Sequence, residues 1–144
     1  MVKEIGWEKI ISNYDSPTIT KEDLLLPYFS ELKYSRPILD IGCGNGLFAN
    51  LLSQKHKVIG LDVHEREFDK FKYIKSDAKS IPLEDSSVGD ILLINVFSCV
   101  GDLEKITKIL KEVKRVKKES SKVYVVDTPE EFAEKEISNE IFET

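Results

Sequence analysis

Three glycines at alternate positions, 42, 44 and 46, follow directly on the apolar run Ile38-Leu-Asp-Ile41 and directly precede a helix-forming segment from Leu47 to Ser53. Glycine at such a junction permits a tight turn and lets a ligand approach the bare backbone. The helix behind it offers free N–H groups to an anionic group such as a carboxylate. A strand that passes through such a turn into a helix points to an α/β chain more than to an all-β or all-α one.

The remaining sequence keeps the same alternation. Strands are predicted at Pro37 to Ile41, Lys57 to Asp62, Phe71 to Lys75, Asp90 to Val96 and Lys122 to Val126. The fourth, with Ile-Leu-Leu-Ile at its centre, shows little polar alternation and is expected to be buried on both faces. Between the second and third strands, Glu65 to Lys70 has room for one or two helical turns. Asp102 can cap a helix running to about Lys118, with Leu103, Ile106, Ile109, Leu110, Val113 and Val116 as its buried stripe. Residues 1–36 form a lead-in. Trp7, Ile10, Ile11 and Tyr14 fall at helical spacing, and Thr20-Lys-Glu-Asp23 is a capping box opening a second helix that contains Pro27. Pro129 opens a last helix weakly anchored by Phe132, Ile137 and Ile141.

This order predicts one domain over 1–144: a lead-in or lid at 1–36, a core at 37–127 and an acidic helix at 128–144. The core is a doubly wound, mostly parallel Rossmann-like sheet of about five strands, in the order 3-2-1-4-5, with flanking helices. Such a sheet brings the carboxyl ends of strands one, two and four together, where these folds bind ligands.

Composition narrows the function. The chain carries 21 bases and 26 acids. The surplus of acid sits in residues 128–144, and the rest is neutral, so no global pull toward nucleic acid or anionic lipid exists. The basic helix from Asp102 to Lys118 lacks interleaved aromatics and reads as a solvated face. No apolar stretch approaches membrane-spanning length. The first residues do not form an export signal, so the expected location is cytoplasmic. Cys43, Cys99, His56 and His64 do not cluster as metal ligands, and no metal is expected.

Asp62 ends the second strand, 20 residues after Gly42. A carboxylate there can accept both hydroxyls of a ribose. Asp77 ends the third strand and can accept from a donor such as an adenine amino group. The glycine spacing departs from the G-x-G-x-x-G of dinucleotide binders, because the third glycine comes one residue early and position 47 is Leu.

With these residues in place, the chain resembles the class I S-adenosylmethionine-dependent methyltransferases of the small-molecule kind called methyltransferase type 11. Ile38-Leu-Asp-Ile-Gly-Cys-Gly-Asn-Gly46 is similar to the family's first motif, and Val58-Ile-Gly-Leu-Asp62 to its second. The stretch from Ser76 to Asp90 resembles the segment carrying the adenine-contacting acid. Leu110-Lys-Glu-Val-Lys-Arg-Val116 resembles the helix before the fifth strand. The likeness extends over about residues 5–127 and implies S-adenosylmethionine as cofactor. It implies Asp40 near the methionine part, and Gly42, Cys43, Gly44 and Gly46 in the loop along methionine and ribose. It further implies Asp62 on the ribose, Val63, Asp77 and Ala78 around the adenine, and Asn95 facing the sulfonium.

The family pattern continues after the fifth strand with a helix and two antiparallel strands, for which 18 residues do not suffice. The sheet is therefore expected to be open beside its fifth strand, inviting the last helix, a second copy or a protein partner. A small-molecule acceptor leads an RNA or protein acceptor. A non-catalytic or partner-dependent cofactor-binding subunit is the alternative. No catalytic side chain is nominated: His64 reads as a loop histidine, Cys99 as a small buried residue, and Trp7 and Tyr14 as core aromatics.

Overall fold

The structure, a computed structural model, describes residues 2–4 and 21–127. In chain order its elements are β1 (Val2–Glu4), α1 (Lys21–Ser30), β2 (Ile38–Ile41), α2 (Leu47–Leu52), β3 (Val58–Asp62), β4 (Lys72–Lys75), β5 (Ile91–Ile94), α3 (Val96–Val100), α4 (Leu103–Val116) and β6 (Val123–Val126). The strands form one sheet in the order β1-β6-β5-β2-β3-β4, with every neighbouring pair parallel. From β4 to β6 this is the 3-2-1-4-5 winding expected of the five core strands.

Alternation of side chains along each strand divides the core in two. Leu39, Ile41, Ile59, Leu61, Ile91, Leu93, Val123 and Val125 face one side. There they meet the stripe of α4, in which Ile106, Ile109, Val113 and Val116 are buried. Ile38, Val58, Leu92, Tyr124 and Val126 face the other side, under Phe29 of α1 and Phe48, Ala49 and Leu52 of α2. Phe29 meets the rings of Phe48 and Tyr124 edge-on at 5.6 and 6.0 Å. The sheet is thus a middle layer buried on both faces, and its ligand-binding end is the row of strand carboxyl termini.

Two polar devices hold the surroundings of that layer. The buried Asp90 accepts Ser35 N–H at 3.0 Å and Lys122 N–H at 2.8 Å, tying the entries to β2 and β6 to the start of β5. Arg115 of α4 donates to the carbonyls of Ile81 and Leu83, each at 2.8 Å, and pairs with Asp85 and Glu112. It pins residues 81–85 against α4.

Four expectations change. Val2–Glu4 is a strand paired with β6, so β6 is not the bare edge that the sequence implied. Residues 65–70 contain no helix. The segment is held against the α1–α2 face of the sheet by Phe68 and Phe71, whose rings stack at 4.4 Å. β5 ends at Ile94 rather than Val96, because Asn95 adopts φ +58° and turns the chain into α3. Asn tolerates that left-handed conformation better than most residues. Leu103 is 44% exposed, being the first residue after the Asp102 cap and lying off the buried stripe.

The Trp7–Tyr14 helix, the acidic carboxyl-terminal helix and the proposed lid fall largely or wholly outside the described residues. Among the described residues, no helix is long and apolar enough to cross a membrane.

Candidate functional site

The glycine loop takes its shape from three left-handed residues, with φ +68° at Gly42, +56° at Gly44 and +82° at Gly46. The N–H groups of Gly42 and Cys43 both donate to Leu61 O, at 2.7 and 3.1 Å. The loop is thereby tied to the end of β3. Gly46 serves packing: a Cβ there would lie 2.6 Å from the Phe68 ring. Gly44 differs, since a Cβ built on it meets nothing within 4 Å and its backbone borders open space.

That space is a cavity of about 640 Å³ at the carboxyl ends of β2, β3 and β5. Gly42, Gly44, Asp62, Val63, Asp77, Ala78 and Asn95 line it, so the structure brings these nominated residues together. Apolar walls come from Ile41, Leu61, Ile94, Val96, Val100 and Ile109. Asp40 in β2, and Cys43 and Gly46 within the loop, do not line the cavity.

Asp62 is the polar hinge of the site. Its Oδ2 accepts Gly44 N–H at 2.9 Å and its Oδ1 accepts Val63 N–H at 2.7 Å. Asp77 closes a local turn instead, accepting Lys79 N–H at 2.9 Å, with Lys79 Nζ at 3.5 Å. Asn95 ends β5 with its N–H on Val126 O at 2.7 Å, which fixes where α3 begins. Asp127 accepts Ser98 N–H at 3.1 Å and holds α3 beside the cavity.

Asp40 is 3% exposed, between Gly60 and Leu92 in the sheet. Burial, and then the neighbouring charge of Asp62, raise its carboxyl to about 7. Burial foremost, with Asp40 and Asp62 adding, pushes the Cys43 thiol up to about 12, so it stays a protonated packing group. Its sulfur packs toward Gly60, where a Cβ would lie 3.0 Å from Sγ.

Cys99 corrects an expectation: it is exposed and lines the cavity. α3 is a short helix at the rim, and its buried positions are Val96 and Phe97. His64, taken as a loop histidine, is exposed on the cavity wall. Arg66, Lys79 and Lys105 also line the cavity and were not nominated. For Arg66 the available signal was the short span from Asp62 to Asp77. A connection without room for a full helix has to return close against the sheet.

Comparison with known proteins bears on the family and the fold. Residues 39–125 match a family model described as "Methyltransferase domain". An uncharacterised protein of Methanocaldococcus jannaschii is 32% identical over 122 residues, covering 82% of this chain and 52% of that protein. The chain therefore spans about half the length of that curated relative. A solved SAM-dependent methyltransferase of Archaeoglobus fulgidus superposes with a TM-score of 0.60 at 29% identity, covering 69% of this chain and 48% of the other. One from Aquifex aeolicus gives 0.59 at 27% identity, covering 85% and 73%.

Proposed function

Because the chain belongs to the methyltransferase-domain family, we propose that it binds S-adenosylmethionine in the glycine-loop cavity and transfers its methyl group to a small-molecule acceptor. The observation that carries this reading is the union of bare backbone and carboxylate in one wall. Gly44 opens onto the cavity where a side chain would protrude, and Asp62 stands hydrogen-bonded beside it. Those features suit a ligand with a polar amino-acid end and a ribose, so the residues present fit the group.

When bound, S-adenosylmethionine supplies a methyl group already activated by its sulfonium. The chain's own residues then need to align and to exclude water. In this reading Gly42 and Gly44 offer backbone to the amino-acid end. Asp62 accepts from the ribose hydroxyls. Val63, Asp77 and Ala78 border the adenine, and Asn95 stands on the sulfonium side. Asp40 acts from beneath the loop, and Cys43 and Gly46 shape it.

A small-molecule acceptor is supported by the form of the site. It is a cavity of about 640 Å³ with one wall of apolar residues, Ile41, Leu61, Ile94, Val96, Val100 and Ile109, and its size lies within the range of roughly 300–1,000 Å³ usual for small ligands. Calorimetric titration with S-adenosylhomocysteine tests the cofactor reading. Binding is expected, and folded protein that gives no heat with either S-adenosylhomocysteine or S-adenosylmethionine would reject it.

A further inference from the structure

The exit from β3 carries the cavity residues Val63 and His64, and no helix follows to lock them. Val63 is 53% exposed there, an apolar side chain held in the open on the cavity wall. A main chain leaving a sheet keeps one conformation only where contacts offset the entropy lost in ordering it.

Tyr73 supplies such a contact from outside the cavity. It stands in β4 opposite Gly60, two residues before Asp62. The main-chain ladder between the two strands runs out with Ser76 N–H on Asp62 O at 2.9 Å. Among the described residues, His64 O takes no main-chain N–H. The Tyr73 hydroxyl donates to His64 O instead and lies 3.3 Å from Asp62 O. The carbonyls of the residues before and after Val63 thus meet at one phenol. Phe68 packs edge-on against the Tyr73 ring at 5.2 Å. Burial, and after it the charge of Asp62, raise the phenol above its ordinary value, so it keeps the hydrogen that it donates. The other side-chain tie from β4, Lys75 to Glu65 at 2.9 Å, joins two exposed groups and contributes little.

We propose that Tyr73 is a positioning residue for the site: its hydroxyl, acting through His64 O, holds Val63 in its place on the cavity wall before a ligand arrives. This inference rests on the S-adenosylmethionine reading above. With the hydroxyl present, the exit of β3 is ordered in advance. Without it, the ordering has to be done at the expense of ligand affinity.

The test is calorimetric titration of the whole chain with S-adenosylhomocysteine, for wild type, Tyr73→Phe, Val63→Ala and the double variant. Tyr73→Phe keeps the ring and its packing on Phe68 and removes only the hydroxyl. It is expected to bind about three- to tenfold more weakly than wild type. In the Val63→Ala background the same change should weaken binding by about twofold or less, because the side chain it positions is gone. Titrations well below the melting temperature of each chain are not moved by lowered stability alone. Equal affinity of Tyr73→Phe and wild type overturns the inference and leaves the cofactor reading standing. So does a loss of the same size in both backgrounds, which would mark an effect that bypasses Val63. A backbone ester between His64 and Glu65 covers a Tyr73→Phe chain that does not fold, since it weakens His64 O as an acceptor and leaves every side chain in place. Weaker binding by the ester chain supports the inference, and wild-type affinity overturns it. Wild type that binds no S-adenosylhomocysteine removes both proposals.

Discussion

Gly44 N–H donates to Asp62 Oδ2 at 2.9 Å, so the tip of the glycine loop is tied to the end of β3. The carboxylate thereby shapes the loop as well as the ground on which a sugar would rest. Asp62→Ala is expected to weaken S-adenosylhomocysteine binding by about 1–3 kcal/mol, since both roles vanish together. Asp62→Asn, which keeps an acceptor, should lose less. Calorimetric titration of the two variants separates these outcomes, and unchanged affinity in Asp62→Ala would refute the placement.

The glycines of the loop differ in what they oppose. Gly46 faces the Phe68 ring, and Gly44 faces open cavity. Both sit at positive φ, so alanine at either costs about 1–2 kcal/mol of backbone strain. Gly46→Ala adds a clash and should lower the melting temperature more. Gly44→Ala should stay closer to wild type in melting while losing most of its ligand affinity. Paired thermal-melt and titration data would show whether the two effects part in this way.

Asp40 sets a pH dependence. The unfolded carboxyl ionises near 3.8, whereas in the fold it holds its proton up to about 7. Between those values the native state carries more protons than the unfolded state. Stability therefore falls as pH rises through this window, by up to about 1.4 kcal/mol per unit, and levels above it. Asp40→Asn lacks this loss. It should be more stable than wild type at about pH 8, with a smaller advantage at about pH 5. Urea unfolding at both values checks the sign.

The two thiols should react differently. Cys99 lines the cavity in the open, while Cys43 is buried with its ionisation pushed upward. Iodoacetamide should label Cys99 first, and saturating S-adenosylhomocysteine should slow that labelling. Mass mapping of the labelled peptides would show it. Equal labelling with and without ligand would detach Cys99 from the ligand space.

Much of the architecture was legible because strand burial leaves a plain mark. Ile38–Ile41 and Ile91–Ile94 are short apolar runs, and both became central strands, the first buried throughout and the second at every residue but Ile94. The Asp102 cap was legible because its side chain needs only the next few residues, Glu104 and Lys105, to act. Features that depend on distant partners were not legible. Leu103 looked like part of a stripe and lies outside it. Glu65 to Lys70 looked helical, yet Phe68 and Phe71 are claimed by Gly46 and Gly60, which lie far off in sequence. The same misreading hid Arg66. Cys99 was misjudged because its exposure follows from the left-handed turn at Asn95, and no neighbouring residue announces that turn.

The pairing of Val2–Glu4 with β6 bears on how the chain acquires its shape. On an emerging polypeptide Val2–Glu4 has no berth until Val123–Val126 has been synthesised and laid beside β5. The earliest-made strand among the described residues is thus among the last that can be seated, and the sheet closes by joining the two extremes of the described sequence. Such long-range closure slows assembly relative to neighbour-to-neighbour pairing.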